Sequence, residues 1–383
     1  MKGFKNAKVY ISGEGVKTLS VGVENGKIAY IGEDAEKITE AYPYSDGQIV
    51  CPGFIDEHIH GAVGSDAMDA TEKALTEISS ALPKEGTTTF LATTMTQSPE
   101  RITAALTAAR DYIAAGKKTG ARVLGVHLEG PYICDKFKGA QPGEYIAKPE
   151  KESFERYYEA SGKNIKIVTL APENDEGYSF IKYLCEKGVT VSAGHSDADF
   201  ETLRGGVESG VKCITHTYNG QRGLHHRDIG VVGGAFSSDE VATEIICDLI
   251  HVSAPAVKLL IKNKPHDKVI LITDAMRAKG LSDGISELGG QTVIVKNGEA
   301  RLENGALAGS TLKMNVAIKN LVTACGVPFG DAVDFATVNP AKNLGVENLY
   351  SSIEVGKYAD FTLLDENFNV KLTLREGEVV YQA

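Results

Sequence analysis

No stretch of the 383-residue chain approaches the ~20 uninterrupted apolar residues of a membrane-spanning helix. The opening segment, MKGFKNAKVYISGEG, has neither the apolar run nor the small-residue cleavage site of a secretory signal. Cysteine is sparse and scattered. Cys51, Cys134, Cys185, Cys213, Cys247 and Cys325 form no CxxC pair and no dense framework, and several lie in apolar runs, as buried reduced thiols do. Basic charge is in deficit. Lys+Arg 40 against Asp+Glu 51 leaves a net charge of -11, which argues against general binding to nucleic acid or an anionic membrane. A local basic pocket for a small anion remains compatible with that balance. No GxxxxGK[ST] loop occurs, so P-loop chemistry is not expected. What is present, 42% hydrophobic and 24% charged residues, suffices for a large core and excludes a disordered polyanion. The expectation is a cytoplasmic protein.

Both ends of the chain read as β. TLSVGVENGKIAYIG alternates about Asn25-Gly26, a dipeptide suited to a tight type I′ hairpin. The tail repeats the pattern in YADFTLL and in VKLTLREGEVVYQ, with a turn near Glu376-Gly377. Residues 1–52 and 345–383 are therefore expected to form one small β-sandwich domain built from both termini. Between them, over residues 53–344, short β-branched runs alternate with amphipathic segments such as ATEKALTEISSALPKEG and SPERITAALTAARDYIAAG. Eight candidate strands stand out: Phe54–Ile59, Thr87–Thr93, Arg122–Leu128, Ile165–Leu170, Val189–Ala193, Lys212–Thr217, Glu244–Leu249 and Lys268–Thr273. Near-continuous apolar strands followed by helices predict an α/β fold, a closed (β/α)8 barrel. A β-hairpin insertion is expected near residues 288–306, where two further Asn-Gly turns occur.

Chemistry in such barrels gathers in the loops at the C-terminal ends of the strands. Every histidine except His266 falls at or just past a proposed strand end. A lone histidine there is ordinarily a hydrogen-bonded structural residue. His58 and His60 are a stronger signal, because residues two apart point to the same side of a strand. Glu129 closes an apolar strand, where an unpaired carboxylate would be costly. With His195 and His216 on two other strand ends, it points to a divalent metal site. Imidazole and carboxylate donors without thiolate suit Zn²⁺, Fe²⁺ or Mn²⁺, and three protein ligands leave a position open for water. Asp274, ending the eighth strand, is the candidate general base and acid, with a helix N-cap as its structural alternative.

The segments PGFIDEHIHG, HLEGP, AGHS, THTYN, LITDA and GKYADFTLLD resemble, in matching order, the N-acetylglucosamine-6-phosphate deacetylases of the amidohydrolase superfamily. The resemblance spans essentially the whole chain. It implies metal-dependent hydrolysis of N-acetyl-D-glucosamine 6-phosphate to glucosamine 6-phosphate and acetate, with N-acetylgalactosamine 6-phosphate or another amidohydrolase substrate as alternatives. A non-catalytic barrel scaffold is a further one. It assigns Glu129, His195 and His216 as main metal ligands, His58 and His60 as ligands of a second ion, and Asp274 as the proton carrier. One or two ions per subunit, zinc or iron, are implied. It maps Ala140, Gln141, Asn219, Gly220, Leu307, Ala308 and Gly309 onto substrate contacts. Arg227 and His251 map onto the phosphate, supplied across a homodimer interface. Arg222, His225 and His226 carry less weight. Relatives commonly carry a histidine where Gln141 stands, and glutamine can donate a hydrogen bond but cannot become cationic.

Overall fold

A computed structural model describes residues Met1–Ala383. The middle of the chain forms eight parallel strands, paired in chain order. These are β1 (Phe54–Ile59), β2 (Thr87–Thr93), β3 (Arg122–Glu129), β4 (Ile165–Leu170), β5 (Thr190–Ala193), β6 (Val211–Ile214), β7 (Ala242–Ile246) and β8 (Val269–Ile272). A helix follows each strand: α1 (Glu72–Ala81), α2 (Pro99–Ala114), α3 (Lys151–Ala160), α4 (Ser179–Glu186), α5 (Phe200–Ser209), α6 (Gly230–Ser237), α7 (Ala254–Asn263) and α8 (Met314–Thr323). Local chemistry starts several of them. Thr71 caps α1 by accepting from Ala74 N, Ser98 caps α2 ahead of Pro99, and Asp199 caps α5 through Thr202 N. No helix is long and apolar enough to cross a membrane.

The barrel closes between β1 and β8, chiefly at its C-terminal mouth. There Asp274 N donates to His58 O and His60 N to Ala275 O, each at 2.9 Å. The buried Asp56 carboxylate pins the same seam by accepting from Thr273 N at 3.3 Å and Thr273 Oγ1 at 2.5 Å. Lower down, the strands are instead bridged by a loop: Ile55 N reaches Ala336 O and Leu271 N reaches Phe335 O. The seam thus ties His58, His60 and Asp274 to one another through the backbone.

The terminal strands join in one mostly antiparallel sheet. Its order is Glu378–Gln382, Val370–Arg375, Phe361–Leu364, Ile49–Pro52, Lys2–Ile11, Gly15–Glu24 and Lys27–Gly32, with Glu40–Ala41 beside Lys2–Ile11. The sheet folds over until its end turns meet: Ala359 N donates to Gly26 O and Gly377 N to Ala359 O. Phe4, Val21, Phe361 and Leu372 belong to the core it encloses.

Two strands stop three residues before their expected ends. β6 stops at Ile214 and β7 at Ile246, because His216 (φ 30°) and Leu249 (φ 66°) adopt left-handed backbone that cannot continue a ladder. The insertion after β8 is a three-stranded sheet, Gly284–Leu288, Gln291–Lys296 and Glu299–Leu302, rather than a hairpin beginning near residue 288. Its first strand, GISEL, is exposed or half-buried except at Leu288 and carries little apolar signal. All six cysteines are free.

Candidate metal centre

Glu129, His195 and His216 come from the ends of β3, β5 and β6 and converge above the barrel axis. His195 Nε2 and His216 Nε2 each lie 3.1 Å from Glu129 Oε1 and 3.2 Å from one another. Their protonation follows from what sits behind them. His195 Nδ1 donates to Phe137 O at 2.8 Å and His216 Nδ1 to Asn219 O at 3.0 Å. A carbonyl only accepts, so each neutral ring carries its hydrogen on Nδ1. Two imidazole lone pairs and a carboxylate oxygen therefore face one point, which is repulsive without positive charge. Donors about 2.0–2.1 Å from a tetrahedral ion sit about 3.3 Å apart. The three residues fit a divalent cation.

A second cluster shares Glu129. His60 Nε2 is 3.3 Å from Glu129 Oε2 and 3.2 Å from Asp274 Oδ1. His58 Nε2 is 3.4 Å from Glu129 Oε1 and 3.5 Å from Asp274 Oδ1. His58, His60 and Asp274 thus form a second set with metal-ligating geometry. Burial would depress the His60 imidazole, but Asp274 and Glu129 outweigh it and push it up to about 10. Burial alone would raise Asp274, yet His58 and His60 hold it at about 2. The cluster demands positive charge, from imidazolium protons or from a cation.

Backbone strain aims these groups. His195 (φ 48°), His216 (φ 30°) and Asp274 (φ 47°) all lie in the left-handed region at strand ends, a conformation costing of order 1–3 kcal/mol for such residues. Gly220 (φ 58°) is required beside them, since a Cβ there would stand 2.9 Å from His195 Nδ1.

The pocket over this centre has a volume of about 240 Å³. Of the residues expected to contact substrate, Ala140, Gln141, Asn219 and Gly220 line it. His251, Leu307 and Gly309 also line it, with Met95 and Leu288 adding apolar wall. Ala308 does not: it is fully buried in the main core, its N–H bonded to Ala300 O. Alternation along an extended segment sends it away from Leu307 and Gly309. Arg227 is also absent from the wall. It lies in an exposed loop, with Nη1 donating to His226 Nε2 at 2.8 Å. His225 and His226 are exposed as well. The pocket wall contains no lysine or arginine.

Gln141 is committed to the centre. Its Oε1 accepts from Thr96 N and its Nε2 donates to Glu129 Oε2, both at 2.7 Å. His251 is held by Asp248, to which Nδ1 donates at 2.6 Å. His127, near the centre in sequence, is structural: Nδ1 donates to Glu57 O and Nε2 accepts from Thr169 Oγ1. Burial and the neighbouring His58 push it down to about 3, so it stays neutral. The sequence reading passed over Glu244, which reaches both His58 and His216. The cue was available: like Glu129, it is an acid inside an apolar strand.

A parallel eight-stranded barrel with histidines and carboxylates gathered at its C-terminal mouth has the form of a metal-dependent hydrolase. The chain belongs to the amidohydrolase family, whose profile matches residues 49–380. It is 40% identical over 385 aligned residues to the N-acetylglucosamine-6-phosphate deacetylase of Bacillus subtilis strain 168, covering 98% of this chain and 96% of that one. The crystal structure of N-acetylglucosamine-6-phosphate deacetylase from Thermotoga maritima superposes with a TM-score of 0.90 at 38% identity, over 100% of both chains. An N-acetylgalactosamine-6-phosphate deacetylase of Escherichia coli O157:H7 is 35% identical over 357 residues, covering 93% of each.

Proposed function

We propose that the protein hydrolyses N-acetyl-D-glucosamine 6-phosphate to D-glucosamine 6-phosphate and acetate. Glu129, His195 and His216 would hold one divalent cation, Zn²⁺ or Fe²⁺, and His58 with His60 a second, Glu129 lying between the two. The observation that carries this reading is the convergence of the His195 and His216 Nε2 atoms on Glu129 Oε1, in a chain similar along its length to deacetylases of that name. A cation there supplies Lewis acidity, lowering the pKa of water from 15.7 towards about 7 and polarising the acetamide carbonyl.

The rest falls to the chain. Asp274 is ionised at neutral pH and fixed by its backbone to His58 O and Ser310 N. It takes a proton from the attacking water and returns it to the departing nitrogen, which would otherwise leave as an amide anion. Gln141 keeps the Glu129 carboxylate in place, and its second amide hydrogen remains free for the substrate carbonyl. Asn219, Gly220, His251 and the Leu307–Gly309 segment bind the sugar phosphate.

A phosphate dianion needs cationic partners. The wall offers His251 but no lysine or arginine, which supports a homodimer in which Arg227 reaches the neighbouring pocket. Arg227→Ala should raise KM about 10–100-fold with a smaller change in kcat. Mixing Arg227→Ala with Asp274→Asn subunits should restore activity, because some mixed sites contain both native groups. No recovery from exchanged subunits would refute delivery across an interface.

The deciding assay is acetate release from N-acetylglucosamine 6-phosphate, its galacto epimer and unphosphorylated N-acetylglucosamine. The gluco phosphate should give the highest kcat/KM. Preference for the galacto epimer, at which the E. coli relative acts by name, would transfer the assignment to that sugar. Absence of turnover on all three would reject the deacetylase reading. We place the activity in the cytoplasm, in amino-sugar catabolism or cell-wall recycling.

A further inference from the structure

We propose that Glu244 is a positioning residue that fixes His58 as a cation ligand and couples the His58/His60 pair to His216. The inference rests on the proposed reading of His58 and His60 as ligands of a second cation. Glu244 is fully buried in β7, and its Oε2 takes two donors at once. They are His58 Nδ1 at 3.1 Å and the backbone N–H of His216 at 3.0 Å. A carboxylate oxygen cannot donate, so when the ring is neutral, as a cation ligand must be, its hydrogen lies on Nδ1. That leaves the Nε2 lone pair facing Glu129 Oε1 and Asp274 Oδ1, at 3.4 and 3.5 Å. Nε2 has no hydrogen-bond partner although the ring is wholly buried.

No other group is placed to set this tautomer. The adjacent imidazole, His127, is already engaged by Glu57 O and Thr169 Oγ1. Glu244 does not reach the pocket wall, so it acts from behind the ring rather than as a ligand. Its second contact holds His216 in left-handed backbone at φ 30°, one of the strained turns that aim the centre. One carboxylate oxygen therefore supports a histidine in each cluster. A carboxylate behind a ligating histidine sets its orientation and basicity, and its loss typically weakens metal affinity about 10–100-fold.

The test is Mn²⁺ titration of the metal-stripped full-length protein, with free Mn²⁺ read by electron paramagnetic resonance. Wild type should take up two equivalents. Glu244→Gln keeps an uncharged oxygen that can still accept from the His216 N–H but no longer holds His58 by charge, so it should weaken the His58/His60 equivalent about 10–100-fold and the other less than about threefold. In a His58→Asn background, Glu244→Gln should add no further loss, as expected when one residue acts through another. Equal weakening of both equivalents, no change in either, or an undiminished effect without His58 would overturn the inference. A single equivalent in wild type, or two unweakened equivalents in His58→Asn, would instead refute the second-cation reading and the inference with it. Should Glu244→Gln not fold, nitrogen-15 histidine spectra of the zinc-loaded wild type decide the matter. A hydrogen on His58 Nδ1 supports the assignment, and one on Nε2 overturns it.

Discussion

Asp274→Asn should lower kcat by about 10³-fold, some 4 kcal/mol of transition-state stabilisation, while KM changes little. The replacement removes the proton-carrying group while keeping its size and shape. Asparagine matches aspartate in size, and both tolerate left-handed backbone, so the φ of 47° at this position and the β1–β8 seam should survive. An amide oxygen can still accept a hydrogen bond from water, but it is far too weak a base to take the proton and return it to the leaving nitrogen. Steady-state acetate release with an unchanged melting temperature is the measurement. A kcat within about threefold of wild type would remove Asp274 from the reaction.

Glu129→Gln is expected to be more severe. Glu129 Oε1 is the atom shared by His195, His216 and His58, and Oε2 faces His60 and Gln141. Burial opposes its charge. The amide would remove that charge. Its NH₂ group would either donate to the histidine lone pairs that a cation would use or oppose the donating Nε2 of Gln141. Cation content after gel filtration should fall below about a tenth of an equivalent, and kcat/KM by about 10⁴-fold or more. Chelation of the native protein should reproduce the loss, and added Zn²⁺ or Fe²⁺ should reverse it only in wild type. Undiminished metal content in Glu129→Gln would show that the cation is held elsewhere.

Glu129, His195, His216 and Asp274 could be located from local pattern, since each ends an apolar strand in a chain where strands and helices alternate. The same rule nominated His58 and His60. It could have nominated Glu244 also, but a buried acid in a strand does not announce which group it will meet. Gln141 was legible as a loop residue, whereas its bond to Glu129 was not. Ala308 and Arg227 show the complementary limit. One turns into the core and the other projects outward, although both lie in loops that serve the pocket.

Hydrophobic periodicity is a property of neighbouring residues, so the order of strands, the terminal sheet and the short list of polar strand ends could be read directly from the chain. Convergence on Glu129 is a property of barrel closure. Ring curvature, strand stagger and the left-handed turns at His195, His216 and Asp274 bring together atoms from segments far apart, and no local pattern encodes an angstrom-scale distance between them.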